Sequence, residues 1–292
     1  MSLEPRKTVI LGMAVIVGLG LGVMLAFLKE YALGGITSAH QLQNVLHVGV
    51  SVGLPDVGRR DAGRPADLVT RAPLSPYAES FRKLRAALEW QAERAPVQSG
   101  ARVILICSAL QGEGKTTTAI ALARTYALSG AAVLLIDADL RNPSVAARLG
   151  TTEAAGLLEH LSGSSLDAVA PQTLQDPLSP LRVLTAGVRQ TVPTDQLLNG
   201  KAWQDLLANL KQDFDVIVID SPPILPVVDT RYLLRQADVV AQVVRYGTTP
   251  QAAAREAAQQ AHDRLRPDAQ LIGVLSHEVL GIGSYAAYSA QT

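Results

Sequence analysis

A single cysteine, Cys107, stands among 292 residues, so no internal disulfide can brace the fold. Its solitude suits a reducing compartment, and its place at the end of an apolar run reads as a buried small side chain rather than a reactive thiol. Aromatic residues make up only 4% of the chain against 48% hydrophobic, so the core has to come from Ala, Leu and Val. Net charge is also missing, because 26 basic side chains meet 26 acidic ones. That balance removes the global positive field that draws a protein to nucleic acid, and none is expected as a partner. No internal repeat is visible.

One stretch, residues 8–28, lacks charge altogether and is flanked by Arg6-Lys7 and Lys29-Glu30. As a helix it covers roughly 30 Å, the depth of a hydrocarbon core. It is too long for a signal peptide, and no clear small-residue cleavage site follows it. The expectation is one N-terminal transmembrane helix, within which Gly18 and Gly22 form a small-xxx-small pair. Residues 1–33 then make the tail and span, 34–73 a juxtamembrane connector, 74–280 the main domain and 281–292 a flexible tail carrying Tyr285 and Tyr288. Within the connector, 55–73 is rich in Gly, Pro, Arg and Asp and reads as a flexible linker.

The main domain opens at Ser75-Pro76, a capping residue followed by proline at the first helical position. Helical spacing gathers Tyr77, Phe81, Leu84 and Leu88 on one face and leaves Glu79, Arg82 and Arg85 away from it. Beyond this, strand candidates at 103–107, 132–137, 181–184, 214–220, 239–245 and 270–275 alternate with helical stretches. Near-continuous apolar runs such as Val216-Ile-Val-Ile219 signify strands buried on both faces. The fold class is therefore α/β, a doubly wound and mostly parallel sheet of the P-loop NTPase type.

The phosphate-loop spacing is met by Ala109-Leu-Gln-Gly-Glu-Gly-Lys-Thr116, placed between the first strand candidate and an Ala-rich helix. Glycines let several backbone N–H groups face one anion, and the helix N-terminus adds partial positive charge. Gln111, Gly112, Glu113, Gly114, Lys115, Thr116 and Thr117 are the candidate nucleotide-binding residues. Lys115 is placed to reach the outer phosphates and the Thr116 hydroxyl to hold magnesium, which makes ATP and Mg²⁺ the expected cofactors. Two strand candidates end in acid, one in Asp137-Ala-Asp139 and one in Asp220. Strand ends converge beside the phosphate loop in such a sheet, so the three acids are expected around one magnesium ion, with Asp137 and Asp220 as its ligands alongside Thr116. Catalytic roles fall to Lys115, Asp137, Asp139 and Asp220, one aspartate receiving a proton from an attacking hydroxyl.

These residues resemble the bacterial tyrosine kinases, the cytoplasmic domains of capsule and exopolysaccharide chain-length regulators. Leu134-Leu-Ile-Asp-Ala-Asp-Leu-Arg-Asn-Pro143 is similar to that family's second Walker motif, and Phe214-Asp-Val-Ile-Val-Ile-Asp-Ser-Pro-Pro223 to its Walker B motif. Glu79-x-x-Arg82-x-x-Arg85 resembles the helix through which family members assemble into a ring. The span followed by Ile36-Thr-Ser-Ala and Gly53-Leu-Pro55 is similar to the join between membrane regulator and kinase, so the chain looks like the C-terminal part of such a fused protein. Related partitioning ATPases carry an extra lysine where Leu110 stands. Family members often place Asn after the last strand, where Ser276-His277 stands here.

The resemblance implies an ATP-dependent protein-tyrosine autokinase at the inner membrane, single-pass with its catalytic domain cytoplasmic, regulating polysaccharide chain length or export. It implies a homo-oligomeric ring, tail acceptors Tyr285 and Tyr288, the polysaccharide polymerase and export machinery, a membrane regulator subunit and a phosphotyrosine phosphatase as partners. A membrane-tethered regulatory ATPase without kinase activity is the alternative, and an assembly scaffold working through Glu79, Arg82 and Arg85 a third.

Overall fold

A computed structural model describes residues 7–58, 63–93, 100–151, 156–163, 171–188 and 192–279, with the backbone alone at 7–10 and 26–33. Among these, the strands are β1 (Ser51–Pro55), β2 (Arg102–Ser108), β3 (Val133–Asp137), β4 (Leu174–Gln175), β5 (Arg182–Leu184), β6 (Val216–Asp220), β7 (Val239–Arg245) and β8 (Gln270–Glu278). They form one sheet in the order β1-β8-β7-β2-β6-β3-β5-β4. Every pairing is parallel except that of β4 with β5. The helices are α1 (Lys7–Leu33), α2 (Ala39–Leu46), α3 (Leu68–Arg71), α4 (Pro76–Ala92), α5 (Lys115–Leu128) and α6 (Val145–Leu149), then α7 (Leu157–Leu161), α8 (Thr194–Asn199), α9 (Lys201–Asp213), α10 (Asp229–Leu234) and α11 (Gln251–His262).

Strand periodicity divides the core in two. Val103, Leu105, Ile217 and Ile219 join α2, α9, α10 and α11 on one face, while Ile104, Ile106, Val216 and Val218 join α4 and α5 on the other. This is why the apolar runs are unbroken: both faces of the central strands are covered. Helix α4 follows the sequence expectation. Ser75 caps it by accepting from the Ala78 N–H at 3.2 Å, and Tyr77, Phe81, Leu84 and Leu88 are buried. Helix α5 is buried nearly all round, which explains its Ala-rich, non-amphipathic sequence. Cys107 is fully buried, and burial pushes its thiol up.

The reading of 55–73 as a flexible linker is corrected by its described residues. Just upstream, Ser51–Pro55 adds to the sheet edge beside β8, in register from Ser51 with Gly273. A 3₁₀ turn at Pro65–Asp67 and α3 then bury Ala66, Asp67 and Val69 against α4 and α5. Composition suggested solvation, but burial of these few apolar side chains and one ion pair decides the outcome. Along α1, the described side chains at 11–25 are all exposed, Leu11 at 68% and Ile16 at 71%. Among the residues described with side chains, which in α1 are 11–25 alone, no helix is long and apolar enough to cross a membrane.

Candidate functional site

The loop between β2 and α5 curls because Gly112 and Gly114 take φ of 84° and 94°, the left-handed region that favours glycine. Gly114 is the N-cap of α5, so the first-turn N–H groups of that helix lack intrahelical partners and face the loop. A cavity of about 340 Å³ lies over this turn. Gln111, Gly112, Lys115, Thr116, Asp139, Pro222 and Pro223 are among its lining residues.

Lys115 is buried at the foot of the cavity. Its Nζ lies 2.8 Å from Asp139 Oδ2 and 3.8 Å from Asp220 Oδ1. Burial works against the charge, but Asp220 and Asp139 outweigh it and hold the ammonium above its usual range. Asp137 and Asp220 are direct neighbours across the β3–β6 pairing. Burial, then the charge of Asp220, pushes the Asp137 carboxyl up to about 7, against the opposing pull of the Val145 and Ser144 N–H groups. Asp220 is fully buried and also raised, by burial above all. Among the described residues neither of its oxygens accepts a well-formed hydrogen bond, although the nearby Thr116 hydroxyl and Lys115 oppose the rise.

The three acids are therefore not equivalent. Asp137 accepts from the backbone N–H groups of Ser144 (3.1 Å), Val145 (3.0 Å) and Asp139 (3.2 Å), which ties down the turn into α6. Asp139 faces the cavity and accepts from Lys115 and the Asn142 N–H. Of the three, Asp220 alone has neither oxygen in a well-formed hydrogen bond among the described residues, and the Thr116 hydroxyl lies beside it. Among the described residues, no group of three His, Cys, Asp or Glu side chains is placed to hold an ion, so acids alone do not make a metal site here. Magnesium retains several waters and shares its shell with phosphate, so the Thr116 hydroxyl and Asp220 are a sufficient donor set. The unsatisfied buried oxygens of Asp220 fit that role.

Glu113 also departs from expectation. Its side chain turns away from the cavity and is 3% exposed, accepting from the Leu110 N–H at 2.6 Å and pairing with the Thr249 hydroxyl. Burial raises its carboxyl. Residues that sequence reasoning passed over also meet here. Ser144 Oγ lies 3.2 Å from Thr116 Oγ1, and Arg148, which lines the cavity, donates to Thr117 Oγ1 at 3.1 Å. Their only sequence signal was proximity to the Asp-x-Asp tip. Arg141 forms a two-pronged pair with buried Asp229, at 3.0 and 2.9 Å.

Glu79, Arg82 and Arg85 lie on the partly exposed side of α4. Arg82 pairs with Glu79 at 2.6 Å and donates to the Pro73 carbonyl, while Arg85 Nε lies 3.6 Å from Glu89. Tyr285 and Tyr288 lie outside the described residues.

The raised acids set a pH dependence. An unfolded Asp loses its proton near 3.8, whereas folded Asp137 keeps it to about 7. Between these values the native state holds the extra proton, so stability falls as pH rises through the window. Thermal midpoints in magnesium-free buffer should drop from pH 5 to 7.5. Asp220→Asn should stabilise the fold at pH 7.5 by about 1–3 kcal/mol, read as a higher midpoint, since Lys115 keeps Asp139 while the cluster of acids around one ammonium loses a surplus buried charge. The same variant should lose the gain that magnesium nucleotide gives the wild type. A higher midpoint with the gain intact would place the metal elsewhere.

Parallel order, a glycine-curled loop at a helix start and acids at adjacent strand tips together define a P-loop NTPase fold. Residues 101–253 match a family model described as an AAA domain. YwqD, a tyrosine-protein kinase of Bacillus subtilis (strain 168), is 35% identical over 185 residues, covering 63% of this chain and 75% of that one. The chain belongs to this AAA-domain family and, within it, to the bacterial tyrosine-protein kinases. Two longer relatives are EpsB of Ralstonia nicotianae, 30% identical over 269 residues, and the succinoglycan biosynthesis transport protein ExoP of Rhizobium meliloti, 35% identical over 196. The matches take in 88% and 66% of this chain but 34% and 24% of those proteins, so the chain spans about a third of their length or less. Among solved structures, the BceF tyrosine kinase domain superposes with a TM-score of 0.70 at 26% identity, over 83% of this chain and 98% of that domain.

Proposed function

We propose that the chain is an ATP-dependent protein-tyrosine autokinase regulating the chain length or export of an exopolysaccharide or capsule at the membrane. The observation that carries this reading is the buried Lys115 ammonium held between Asp139 and Asp220 beneath the phosphate loop, in a chain kin to named tyrosine-protein kinases. In the proposed mechanism the loop amides and Lys115 bind the phosphates of ATP, and Thr116 and Asp220 hold magnesium. The ion, when bound, supplies positive charge against the phosphate oxygens. Lys115 turns from Asp139 to the outer phosphate, which frees Asp139 Oδ2 at the cavity wall to accept the proton of a tyrosine hydroxyl. Asp137, occupied by three N–H groups, positions the Asp139 turn.

Tyr285 and Tyr288 are the proposed acceptors, presented to a neighbouring subunit in a ring built through Glu79, Arg82 and Arg85. The exposed apolar side chains of α1 support a single-pass anchor in the inner membrane with the kinase on the cytoplasmic side. The export machinery, a membrane regulator and a phosphotyrosine phosphatase are the proposed partners; ExoP's name motivates the first. Incubating the purified chain with magnesium-ATP should yield phosphotyrosine by mass spectrometry. Tyr285→Phe with Tyr288→Phe should remove most of it while nucleotide affinity stays within about twofold, since the tail forms no part of the phosphate loop. An undiminished signal would put the acceptor elsewhere, and no signal from the wild type would reject the kinase reading.

A further inference from the structure

The phosphate loop is fastened from behind, and the fastening leads to the segment that follows α1. The Thr249 hydroxyl accepts from the Arg245 N–H at 3.0 Å and donates to Glu113 Oε1. Glu113 Oε2 accepts from the Leu110 N–H, so this one carboxylate spans the loop's entry and the turn after β7. Two further bonds act on the same stretch. Ser276 Oγ donates to the Glu113 carbonyl at 2.6 Å, and Arg245 Nη1 to the Gly112 carbonyl at 3.2 Å.

The far side of that turn meets the connector. The Gly247 N–H donates to the Ile36 carbonyl at 2.8 Å, and Gly35 bridges Pro250 in antiparallel fashion. A Cβ on Gly35 would lie 2.3 Å from the Gly247 carbonyl carbon and oxygen, so no side chain fits there without moving backbone. Ile36 is fully buried, which fixes the segment against the turn. The turn at 245–250 is therefore wedged between Gly35-Ile36 and Gly112-Glu113.

We propose that Glu113 is a positioning residue of the phosphate loop and that, through Thr249 and the 245–250 turn, it couples the loop's shape to the placement of Gly35-Ile36. A pull or rotation at the end of α1 shifts the turn, slackens the Thr249–Glu113 bond and loosens the curl that presents the loop amides. The connector thus bears on nucleotide affinity without touching nucleotide. The inference rests on the reading of the cavity as an ATP site.

The test uses the full chain and magnesium-ATP titrated by calorimetry, with thermal midpoints as a folding control. Thr249→Val keeps the shape and removes the hydroxyl. It should weaken binding by up to about tenfold, the worth of one such hydrogen bond, while Thr249→Ser stays near wild type. Gly35→Val should weaken binding to a similar extent but add little on top of Thr249→Val, because both act through one bond. Gly35→Ala serves if the larger side chain does not fold, since its Cβ already meets the turn. Losses that multiply in the double variant, or a Thr249→Val chain that binds like wild type, would overturn the coupling while leaving the ATP site intact. A wild-type chain that binds no magnesium-ATP would remove both the site and this inference.

Discussion

Lys115→Met should cut phosphotyrosine formation by about a thousandfold or more, the scale set by removing a preorganised charge from a phosphoryl-transfer site. The side chain is buried with its ammonium 2.8 Å from Asp139, while the other cations of the cavity lining, Arg141 and Arg148, are engaged with Asp229 and Thr117. The substitution also strips the counter-charge from a cluster of buried acids. Asp220 is fully buried, and without Lys115 its carboxyl and that of Asp137 rise further. Acids raised in the folded state stabilise it least at high pH, so the variant's thermal deficit should be small near pH 5.5 and grow toward pH 8. Quantitative phosphotyrosine detection and a midpoint series across that range check both arms. Residual activity above about a tenth of wild type would mean that the loop amides alone carry the phosphate charge.

Local patterns were legible and long-range pairings were not. The phosphate loop could be read because its glycines, lysine and hydroxyl lie within eight residues, and each strand tip announced itself by an apolar run ending in acid. The same runs located six of the eight described strands, β2, β3, β5, β6, β7 and β8. Strand β1 escaped because Ser51-Val-Gly-Leu-Pro55 carries glycine and proline and has little apolar content. It is a strand only because Gly53 lets Glu278 pass so close that a Cβ would meet it at 1.6 Å, and because an edge strand tolerates Pro55. The inequality of the three acids was equally hidden. Asp137 and Asp139 are two residues apart, but the backbone turn toward α6 consumes the first and leaves the second at the cavity. Glu113 sits inside the motif, and nothing in the motif says that its side chain points backward to a residue 136 positions away.

Arg124→Met should destabilise the fold by about 3–5 kcal/mol, because it leaves two buried carboxylates without their partner. Arg124 is 1% exposed and spans the connector and the far edge of the sheet. It donates to Asp67 Oδ1 at 2.7 Å and, through two nitrogens, to Asp176 at 3.0 and 2.8 Å. Asp176 is further held by Ser179 at 2.6 Å, while the mostly exposed Arg71 lies 3.5 Å from Asp67 and is too solvated to substitute. Denaturant unfolding should register the loss. Pairing Arg124→Met with Asp67→Asn and Asp176→Asn should recover a large part of it, since the penalty lies in the stranded charges rather than in a missing attraction. Arg124 lies roughly 13 Å along α5 from Lys115, so magnesium-ATP affinity of the folded variant should remain within about threefold of wild type. A substitution that costs little would mean that the connector is held by Ala66 and Val69 alone. A large fall in nucleotide affinity would mean instead that α5 transmits strain from the connector to the phosphate loop.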